Sequence, residues 1–438
     1  MNWISPLLFL IALSTGVYLF VRRIQAIQQM IRLGRPDLPT DQPAKRWVQV
    51  FRLALGQQKM FRNVPVALLH LIIYAGFIII NIEVLEIVLD GLTGAHRLFH
   101  QPLGALYPIL INSFEWLALG VWVACVFFLT RRNLIKVQRL WSKDLDGWPR
   151  SDANLILIIE IILMSLFLIM NAADTLLQAR HVGHYAAAPT GPFVISSFLH
   201  PLLDGSSDAV LIALERSCWW LHILGILAFL NYLPYSKHLH ILFAFPNAYY
   251  APLITPGKMS NMPSIQQEVE LAMNPAAATA TSVAPPGRFG AKDVQDLGQK
   301  NLLDAFSCTE CGRCSAACPA QHTGKLLSPR RIMMQTRDRM EDLKKLPVDQ
   351  RDTDGKSLLH DYITVEELRA CTTCQACVEE CPVSINPLDI ILQLRRYLVM
   401  EESNAPGEWT GMFGNVENNF APWKFSPEER DAWMRANK

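Results

Sequence analysis

Long apolar runs separated by short polar connections fill the first half of the chain. Five of these runs are long enough to cross about 30 Å of hydrocarbon as helices. They lie at residues 3–21, 64–89, 106–129, 153–176 and 209–233. The first run has no basic residues ahead of it and no small-residue cleavage site, which favours a retained helix over a signal peptide. The pattern predicts a bundle of five transmembrane helices in residues 1–245.

The pattern changes after the fifth run. Residues 246–290 include a stretch rich in Ala, Thr and Pro at 274–287, which cannot bury a core and predicts a linker. Residues 291–400 then predict a second, α-helical domain, and the whole chain is predicted to be mainly α. The tail at 401–438 is aromatic but too polar for a core of its own, which favours a docking arm, with a cap over the second domain as the alternative.

Lys and Arg residues are spread unevenly among the connections. Nine lie in residues 22–63 and six in 130–152, against one in 90–105 and one in 177–208. Because basic connections stay in the cytoplasm, the N-terminus is predicted to lie outside and everything after residue 233 inside. The expected location is a bacterial inner (plasma) membrane, with the second domain in the cytoplasm.

Composition agrees with a membrane protein. The chain is 51% hydrophobic and only 18% charged, which is unusual for a soluble protein. Its net charge of +1 gives no indication of a nucleic-acid partner.

Eight of the ten cysteines repeat the spacing Cys-x2-Cys-x2-Cys-x3-Cys-Pro twice. This is the ligand run of bacterial ferredoxins, in which three thiolates bind one [4Fe-4S] cube and the fourth reaches the other cube. The predicted ligands are Cys308, Cys311, Cys314 and Cys381 for the first cluster, and Cys371, Cys374, Cys377 and Cys318 for the second.

Two structural zinc sites are the alternative for these runs. Zinc prefers two Cys-x2-Cys pairs and does not explain a fourth cysteine followed by proline in both runs. Disulfides are disfavoured on a segment predicted to be cytoplasmic. The other two cysteines, Cys125 and Cys218, lie in apolar runs and are predicted to be small buried side chains.

Histidines in or beside the apolar runs are candidate haem ligands, because ionisable residues inside a membrane are usually functional. His70 lies near the start of the second run and His222 near the middle of the fifth. His240 follows His222 by 18 residues, which is five helical turns and about 27 Å, so the two share a face if the helix is continuous. His238 then falls on nearly the opposite face and is the poorer ligand.

Two imidazoles from facing helices hold b-type haem in a helical bundle, and the depths favour His70 with His240. A second haem at His222 lacks a histidine partner on the second run. The alternatives are a single haem, a His70–His222 pair with Met60 facing His240, a ligand from an outer histidine, or histidines that serve only as polar contacts between helices. The outer candidates are His96 and His100.

The membrane half resembles the cytochrome b (gamma) subunit of respiratory nitrate reductases. The resemblance is carried by the five spans, by Leu68-Leu69-His70, and by Leu221-His222-Ile223-Leu224-Gly225 with His240 18 residues after His222. In that family each of these two helices gives two haem ligands. This chain has Ile80 where the second ligand of the second run would fall.

The second domain resembles the iron-sulfur subunits of heterodisulfide reductases and their membrane-bound relatives. These include electron-transfer-flavoprotein:quinone oxidoreductases and the sulfite-reduction-associated complex. The shared segments are Cys308-Thr-Glu-Cys-Gly-Arg-Cys, Leu327-Ser328-Pro329-Arg330 and the stretch Met-Phe-Gly-Asn-Val-Glu-Asn-Asn at 412–419. Such proteins usually continue into modules with a Cys-Cys-Gly signature. None is present before Lys438, so the resemblance implies a separate partner subunit.

These features predict a respiratory oxidoreductase subunit that relays electrons between the quinone pool and a cytoplasmic flavoprotein or iron-sulfur subunit. The cofactors are two [4Fe-4S] clusters and one haem b, with a second haem left open, and quinone is the substrate. The acids Glu83, Glu86 and Glu115 are proton-transfer candidates or hydrogen-bond partners between helices. The alternatives are a thiol/disulfide electron-transfer subunit, as in heterodisulfide reductase or the sulfite-reduction-associated complex, or a redox-sensing anchor without turnover.

Overall fold

The fold was analysed in a computed structural model, which describes residues 3–254, 257–274, 288–351 and 353–436. Of the predicted linker at 246–290, residues 255–256 and 275–287 lie outside these residues, and they include nearly all of the low-complexity stretch. Helices dominate the described residues, in which strand pairing is limited to two isolated bridges. The prediction of a mainly α-helical protein is confirmed.

The helices of the first half are α1 (Ile4–Ile31), α2 (Pro43–Val50), α3 (Val64–Thr93), α4 (His100–Leu103), α5 (Tyr107–Asn133), α6 (Trp148–Ala179), α7 (His200–Leu203), α8 (Asp208–Tyr232) and α9 (His240–Tyr250). Those of the second half are α10 (Pro263–Met273), α11 (Gln299–Ser307), α12 (Arg313–Ala316), α13 (Pro319–His322), α14 (Pro329–Lys345), α15 (Val365–Ala370), α16 (Ala376–Glu380), α17 (Pro387–Met400), α18 (Gly407–Asn419) and α19 (Ala432–Ala436).

Five helices, α1, α3, α5, α6 and α8, are long and apolar enough to cross a membrane, as predicted. Each packs against the next, and α1 contacts both α8 and α3, which closes the five into a ring. A glycine allows one of these contacts: a Cβ on Gly76 of α3 would come within 2.6 Å of Val121 on α5. We call these helices, with α2 and α9, the membrane half.

Helix α1 is about ten residues longer than its apolar run. It continues through Arg22-Arg23, because Ile24, Ile27 and Met30 keep the spacing of one helix face. Ile27 and Met30 are fully buried in the core of the second domain. The end of α1 is therefore a strut that joins the two halves.

The fifth membrane helix ends before His240, whereas the predicted shared face of His222 and His240 required one continuous helix. Helix α8 stops at Tyr232, Pro234 lies in a tight turn, and His240 begins the separate helix α9. His222 and His240 therefore do not lie on one face of a continuous helix, and that prediction is wrong. Helix α9 instead packs against α2 and α11 and crosses the predicted boundary at 245/246.

The second domain, which we call the cysteine-bearing domain, has its core around α11, α14 and α17. Helix α14 begins at Pro329, and the preceding Ser328 side chain accepts a hydrogen bond from the Arg331 N–H. Leu239 and Phe243, beside and within α9, belong to the same buried cluster. The two halves therefore share one continuous apolar core.

The tail carries α18 and α19 and lies on the surface. Between residues 407 and 435 no side chain is buried, and Trp409, Phe413 and Trp433 are exposed. An apolar cap would bury these rings. The cap alternative is therefore wrong for the described part of the tail.

Candidate functional site

The two cysteine runs fold into the same backbone turn. The second residue after the first cysteine of each run is left-handed, at Glu310 (φ 54°) and Thr373 (φ 56°). The fourth is left-handed as well, at Gly312 (φ 73°) and Gln375 (φ 62°). Glycine adopts this conformation without strain at position 312. The repeated sequence spacing is therefore a repeated loop geometry.

Backbone N–H groups in these loops point at sulfur. Glu310 N lies 3.4 Å from Cys308 Sγ, and Thr373 N lies 3.4 Å from Cys371 Sγ. Hydrogen bonds to the sulfur ligands are among the features that set the reduction potential of iron-sulfur clusters. The two loops therefore offer equivalent thiolate sites.

The fourth cysteine of the second run joins the first three of the first run. These four line one small cavity of about 30 Å³ together with Met333 and Arg330: Cys308, Cys311, Cys314 and Cys381. The pKa of the Cys381 thiol is raised to about 12, first by burial and in part by the Cys311 sulfur. The cavity is also bordered by Cys377, so the second group lies directly beside it.

The second group combines the first three cysteines of the second run with the fourth cysteine of the first run. The pKa of Cys377 is raised to about 12, first by burial and then by the neighbouring sulfurs of Cys371, Cys318 and Cys374. Cys374 is exposed and Cys318 is buried. The second group therefore has one edge at the protein surface.

A single metal ion does not fit these groups. Among the described residues, no three His, Cys, Asp or Glu side chains converge closely enough to hold one ion. A zinc ion would need four sulfurs at about 2.3 Å from one centre. A four-iron cube binds its thiolates through separate irons, so these groups are compatible with a cluster.

Glu310 ties the first cysteine loop to the membrane half. Its carboxylate accepts from Lys237 Nζ at 2.6 Å and from Arg337 Nη2 at 2.5 Å. Burial alone would raise the pKa of Glu310, but these two cations outweigh burial and lower it. Lys237 lies directly before His238, so the same ion pair fixes the turn between α8 and α9.

Arg330, the last residue of the Leu-Ser-Pro-Arg segment, makes a second contact between the cysteine-bearing domain and the membrane half. Its buried guanidinium donates to Asp144 Oδ2 at 2.9 Å and to the Arg139 carbonyl at 2.9 Å, in the connection between α5 and α6. Removing one partner of such a buried pair costs about 3–5 kcal/mol. Gly312 is required here because a Cβ would lie 2.5 Å from the Arg330 guanidinium.

Basic connections of the membrane half meet acids of the cysteine-bearing domain at the surface as well. Arg62 pairs with Glu379 and Glu380, and Arg23 pairs with Glu341. The Lys- and Arg-rich connections therefore lie at the same end of the bundle as the cysteines. This is the arrangement expected if both face the cytoplasm.

A cavity of about 490 Å³ is lined by residues of α3, α5, α6, α8 and α9. Four histidines line it: His70, His222, His238 and His240. Its floor is formed by Thr309 and Cys311 of the first cysteine loop and by Pro382, which follows the last cysteine of the second run. The predicted ligands from both halves of the chain therefore meet around one space.

Two of the histidines have one ring nitrogen held in place. His70 Nδ1 lies 3.0 Å from Gln57 Oε1, and His240 Nδ1 lies 2.9 Å from the Lys237 carbonyl. Each Nδ1 donates a proton to that oxygen, which leaves Nε2 as the acceptor nitrogen of each ring. Metal-bound histidines are held in this way.

His238 was wrongly separated from His240 by the helical-face argument. The two rings lie at right angles with centroids 5.5 Å apart, and both line the cavity. The pKa of His238 is lowered to about 3, first by burial and then by His240 and His70. Burial also lowers the pKa of His240. Both are therefore neutral imidazoles, the form that ligates metals.

The other proposed ligands are placed differently. His222 lines the cavity, its Nδ1 has no hydrogen-bond partner in the described residues, and Ile80 lines the same cavity from α3. Met60 lines the cavity with its sulfur 3.6 Å from Arg313 Nη1. His96 lies outside the cavity and pairs with Asp174 at 3.4 Å. His100, whose ring contacts that of Tyr107 edge to face, is not among the cavity residues either.

Basic side chains surround the end of the cavity near the cysteine-bearing domain. Arg131 and Arg139 line it, and within the described residues neither guanidinium has a hydrogen bond or ion pair. Burial lowers the pKa of Arg139, and the guanidiniums of Arg313 and Arg330 lower it further. This end of the cavity is therefore suited to an anionic group.

The three acids singled out in the sequence are hydrogen-bonded in the structure. Glu83 pairs with Arg97 at 3.1 Å, Glu86 accepts from Tyr107 at 3.0 Å, and Glu115 accepts from Ser196. None of them lines the cavity. Two acids line the cavity, Glu310 of the first cysteine loop and Glu160 of α6. Glu160 was not among the predicted site residues, although it and Asp174 are the charged residues of the apolar run 153–176.

One protein-family model and several known proteins are similar to this chain. A 4Fe-4S dicluster domain model matches residues 300–382, which contain all eight repeated cysteines. A probable iron-sulfur-binding oxidoreductase of Bacillus subtilis, FadF, is 29% identical over 98% of the chain. The EtfAB:quinone oxidoreductase of Syntrophomonas wolfei is 26% identical over 99% of the chain. The chain spans 60% and 59% of the length of these two relatives.

A third relative matches a shorter part of the chain. It belongs to a CoB-CoM heterodisulfide reductase of Methanosarcina acetivorans, and it is 38% identical over 105 residues, which are 24% of this chain and 52% of the relative. No solved structure matches the chain. The family model and the named relatives together indicate an iron-sulfur protein of electron transfer, related to oxidoreductases.

Proposed function

We propose that this chain relays electrons between the quinone pool of the membrane and a cytoplasmic redox partner. The relay uses two [4Fe-4S] clusters in the domain at 291–400 and haem b in the bundle at 1–245. One observation carries the proposal: Thr309, Cys311 and Pro382 line both the histidine cavity and the first cysteine group. When bound, these groups supply one-electron transfer. The protein's role is to hold the haem and the two clusters in the order in which electrons pass between them.

The ligand sets follow the grouping of the side chains. The first cluster would be held by Cys308, Cys311, Cys314 and Cys381, next to the membrane, and the second by Cys371, Cys374, Cys377 and Cys318, next to the surface. The exposed edge at Cys374 then faces the soluble partner. The order along the relay is cavity, first group, second group, partner.

Haem b would be held by His70 and His240, with His222 outside the pair. Support comes from the two free Nε2 atoms, the Nδ1 contacts with Gln57 and Lys237, and the size of the cavity. Haem carries anionic propionates. Arg131 and Arg139, which lack partners among the described residues, are the residues suited to bind them.

The quinone assignment draws on a relative's name, EtfAB:quinone oxidoreductase, and on the cavity within the bundle. The similarity to part of a heterodisulfide reductase favours a second candidate, electron exchange with a thiol/disulfide partner. Both candidates use the same relay and differ in the partner. The chain's own location is proposed to be a bacterial inner membrane, with the N-terminus outside and the clusters in the cytoplasm.

The experiment that tests the function uses the purified chain in lipid nanodiscs, loaded with clusters and haem and reduced with dithionite. After the dithionite is removed, a quinone confined to the bilayer should reoxidise both the haem and the clusters. A redox-sensing anchor without turnover would stay reduced. Reduced centres that persist beside excess quinone would contradict the proposed function.

The tail is proposed to be where the partner docks, since its aromatic side chains are exposed and have no core of their own. Deleting residues 407–438 should leave quinone reoxidation of the haem unchanged, because no described residue of the tail lines the cavity. The redox partner should no longer copurify from native membranes. The paired change Trp409→Ser with Phe413→Ser should weaken copurification without truncation. Full retention of the partner by the truncated chain would contradict this assignment.

A further inference from the structure

The two proposed haem ligands are held by different kinds of oxygen. The acceptor for His240 Nδ1 is the Lys237 carbonyl, a main-chain group, at 2.9 Å. The acceptor for His70 Nδ1 is a side-chain group, Oε1 of Gln57, at 3.0 Å. Gln57 is buried and lines the histidine cavity. Of the two acceptors, Gln57 is therefore the one whose chemistry depends on the identity of a side chain.

Gln57 lies where a helical segment ends. This segment begins with α2, and its last hydrogen bonds run from Gly56 N–H to the Phe51 carbonyl at 2.8 Å and from Gln58 N–H to the Arg52 carbonyl at 3.1 Å. Between these two donors, Gln57 has a φ of 48°. It therefore adopts the left-handed conformation that turns a chain out of a helix.

A left-handed residue at the end of a helix is usually glycine, because a Cβ disfavours this conformation. The chain has its glycine one position earlier, at Gly56, where φ is −79°, an ordinary helical value. Other residues in left-handed conformations persist where their surroundings fix them, and they cluster at functional sites. The sequence therefore keeps a glutamine side chain at a position where the backbone favours glycine.

The residues that follow Gln57 are held by the cysteine-bearing domain. Arg313 Nη1, in the first cysteine loop, donates to the Lys59 carbonyl at 3.1 Å. Lys59 Nζ donates to the carbonyl of Glu379, in the second cysteine run, at 3.0 Å, and Arg62 pairs with the Glu379 carboxylate. Docking of that domain therefore holds the turn that carries Gln57.

We propose that Gln57 is a positioning residue that fixes the His70 ring and sets the strength with which its Nε2 binds haem iron. The inference rests on the proposed function, in which His70 is an axial ligand. A hydrogen bond from Nδ1 to an acceptor makes the imidazole a stronger base at Nε2. A stronger base stabilises the oxidised iron more than the reduced iron, so Gln57 lowers the reduction potential of the haem.

The first test is a potentiometric titration of the haem in the loaded chain in nanodiscs. Gln57→Leu and Gln57→Glu both keep a side chain of similar size. Leucine offers no acceptor, so the reduction potential should rise above that of wild type. The carboxylate is a stronger acceptor, so the potential should fall below it. Gln57→Gly removes the acceptor and suits the left-handed backbone, so its potential should rise as well.

The second measurement is the rate at which haem transfers to an excess of a haem-scavenging apoprotein. Loss of the partner of a metal-bound histidine costs about 10- to 100-fold in affinity, so Gln57→Leu and Gln57→Gly should release haem faster by about that factor. Gln57→Glu keeps an acceptor and should retain haem as long as wild type.

The matched control is Gln58→Leu. Gln58 is the exposed neighbour of Gln57, and its side-chain oxygen accepts from Arg52 at 3.1 Å, not from a histidine. This variant should match wild type in both the potential and the release rate.

Potentials that shift in the same direction in Gln57→Leu and Gln57→Glu would overturn the inference, because a side chain that only fills space has no reason to give opposite shifts. A Gln57→Leu potential and release rate equal to those of wild type would overturn it too. If Gln57→Leu does not fold, Gln57→Gly compared with Gln57→Glu decides the same question. A low-spin haem spectrum that survives His70→Ala would instead refute the proposed ligand pair, whatever the Gln57 variants show.

Discussion

Changing Cys318 to alanine should remove the cluster held by the second cysteine run, although Cys318 belongs to the first. Its sulfur is grouped with those of Cys371, Cys374 and Cys377. A cube that loses one of four thiolates is destabilised, so about four of about eight cysteine-bound irons should be lost. Iron and acid-labile sulfide analysis, together with the electron paramagnetic resonance spectrum of the reduced protein, measures this loss.

Two matched variants complete the experiment. Cys381→Ala should remove the other cluster, the one held by the first run, because its sulfur lies in the first group. Cys218→Ala should leave the iron content unchanged, since Cys218 is buried in the membrane half away from both groups. Loss of the first-run cluster in Cys318→Ala, or stoichiometric zinc in the wild-type protein, would contradict the exchange of ligands between the runs.

Changing His240 to alanine should abolish the absorption spectrum of a low-spin haem. His240 Nδ1 is held by the Lys237 carbonyl, which leaves Nε2 free, and His70 is held in the same way by Gln57. Low-spin haem b needs both axial imidazoles, so His70→Ala should have the same effect. Reduced-minus-oxidised difference spectra and haem extraction measure the result.

His238→Ala is the matched control, because its ring lies 5.5 Å from that of His240 and, among the described residues, its ring nitrogens make no hydrogen bond. It should keep the spectrum. If the spectrum were lost in His238→Ala and kept in His240→Ala, the haem ligand would be His238 and not His240. A normal spectrum in both His240→Ala and His238→Ala would favour the pair His70 and His222.

The sequence predicted the features that depend on spacing within one segment. Runs of apolar residues determined the number of membrane helices, and the doubled cysteine spacing predicted which sulfurs meet. The structure confirms the five helices. These features are predictable because each follows from a local property, either length in hydrocarbon or the geometry of a short loop.

Features that depend on contacts between distant segments were not predictable. Nothing in the α8 sequence fixes where His240 points, because the turn at 233–239 is held by the ion pair from Lys237 to Glu310. The extension of α1 is stabilised by burial of Ile27 and Met30 in a domain nearly 300 residues later in the chain. Glu160 was visible as an acid in an apolar run, but its place in the lining of the cavity is a property of the folded bundle.

The basic connections enter the account in two ways. Their count predicts that they face the cytoplasm, and the structure pairs several of them with acids of the cysteine-bearing domain. Arg330, Lys237 and the strut of α1 then hold the first cysteine group against the floor of the histidine cavity. Fixed placement of this kind is the protein's contribution to electron transfer.

The most direct test of the relay is whether membrane quinone reaches the clusters through the histidine pair. Wild-type and His240→Ala chains, both with clusters loaded, are reduced in nanodiscs and mixed with a bilayer-confined quinone, and cluster oxidation is followed by freeze-quench electron paramagnetic resonance. The account predicts fast oxidation of both clusters in wild type and oxidation slowed by orders of magnitude in His240→Ala, with ferricyanide oxidising both proteins equally. Equal rates with quinone in the two proteins would contradict it.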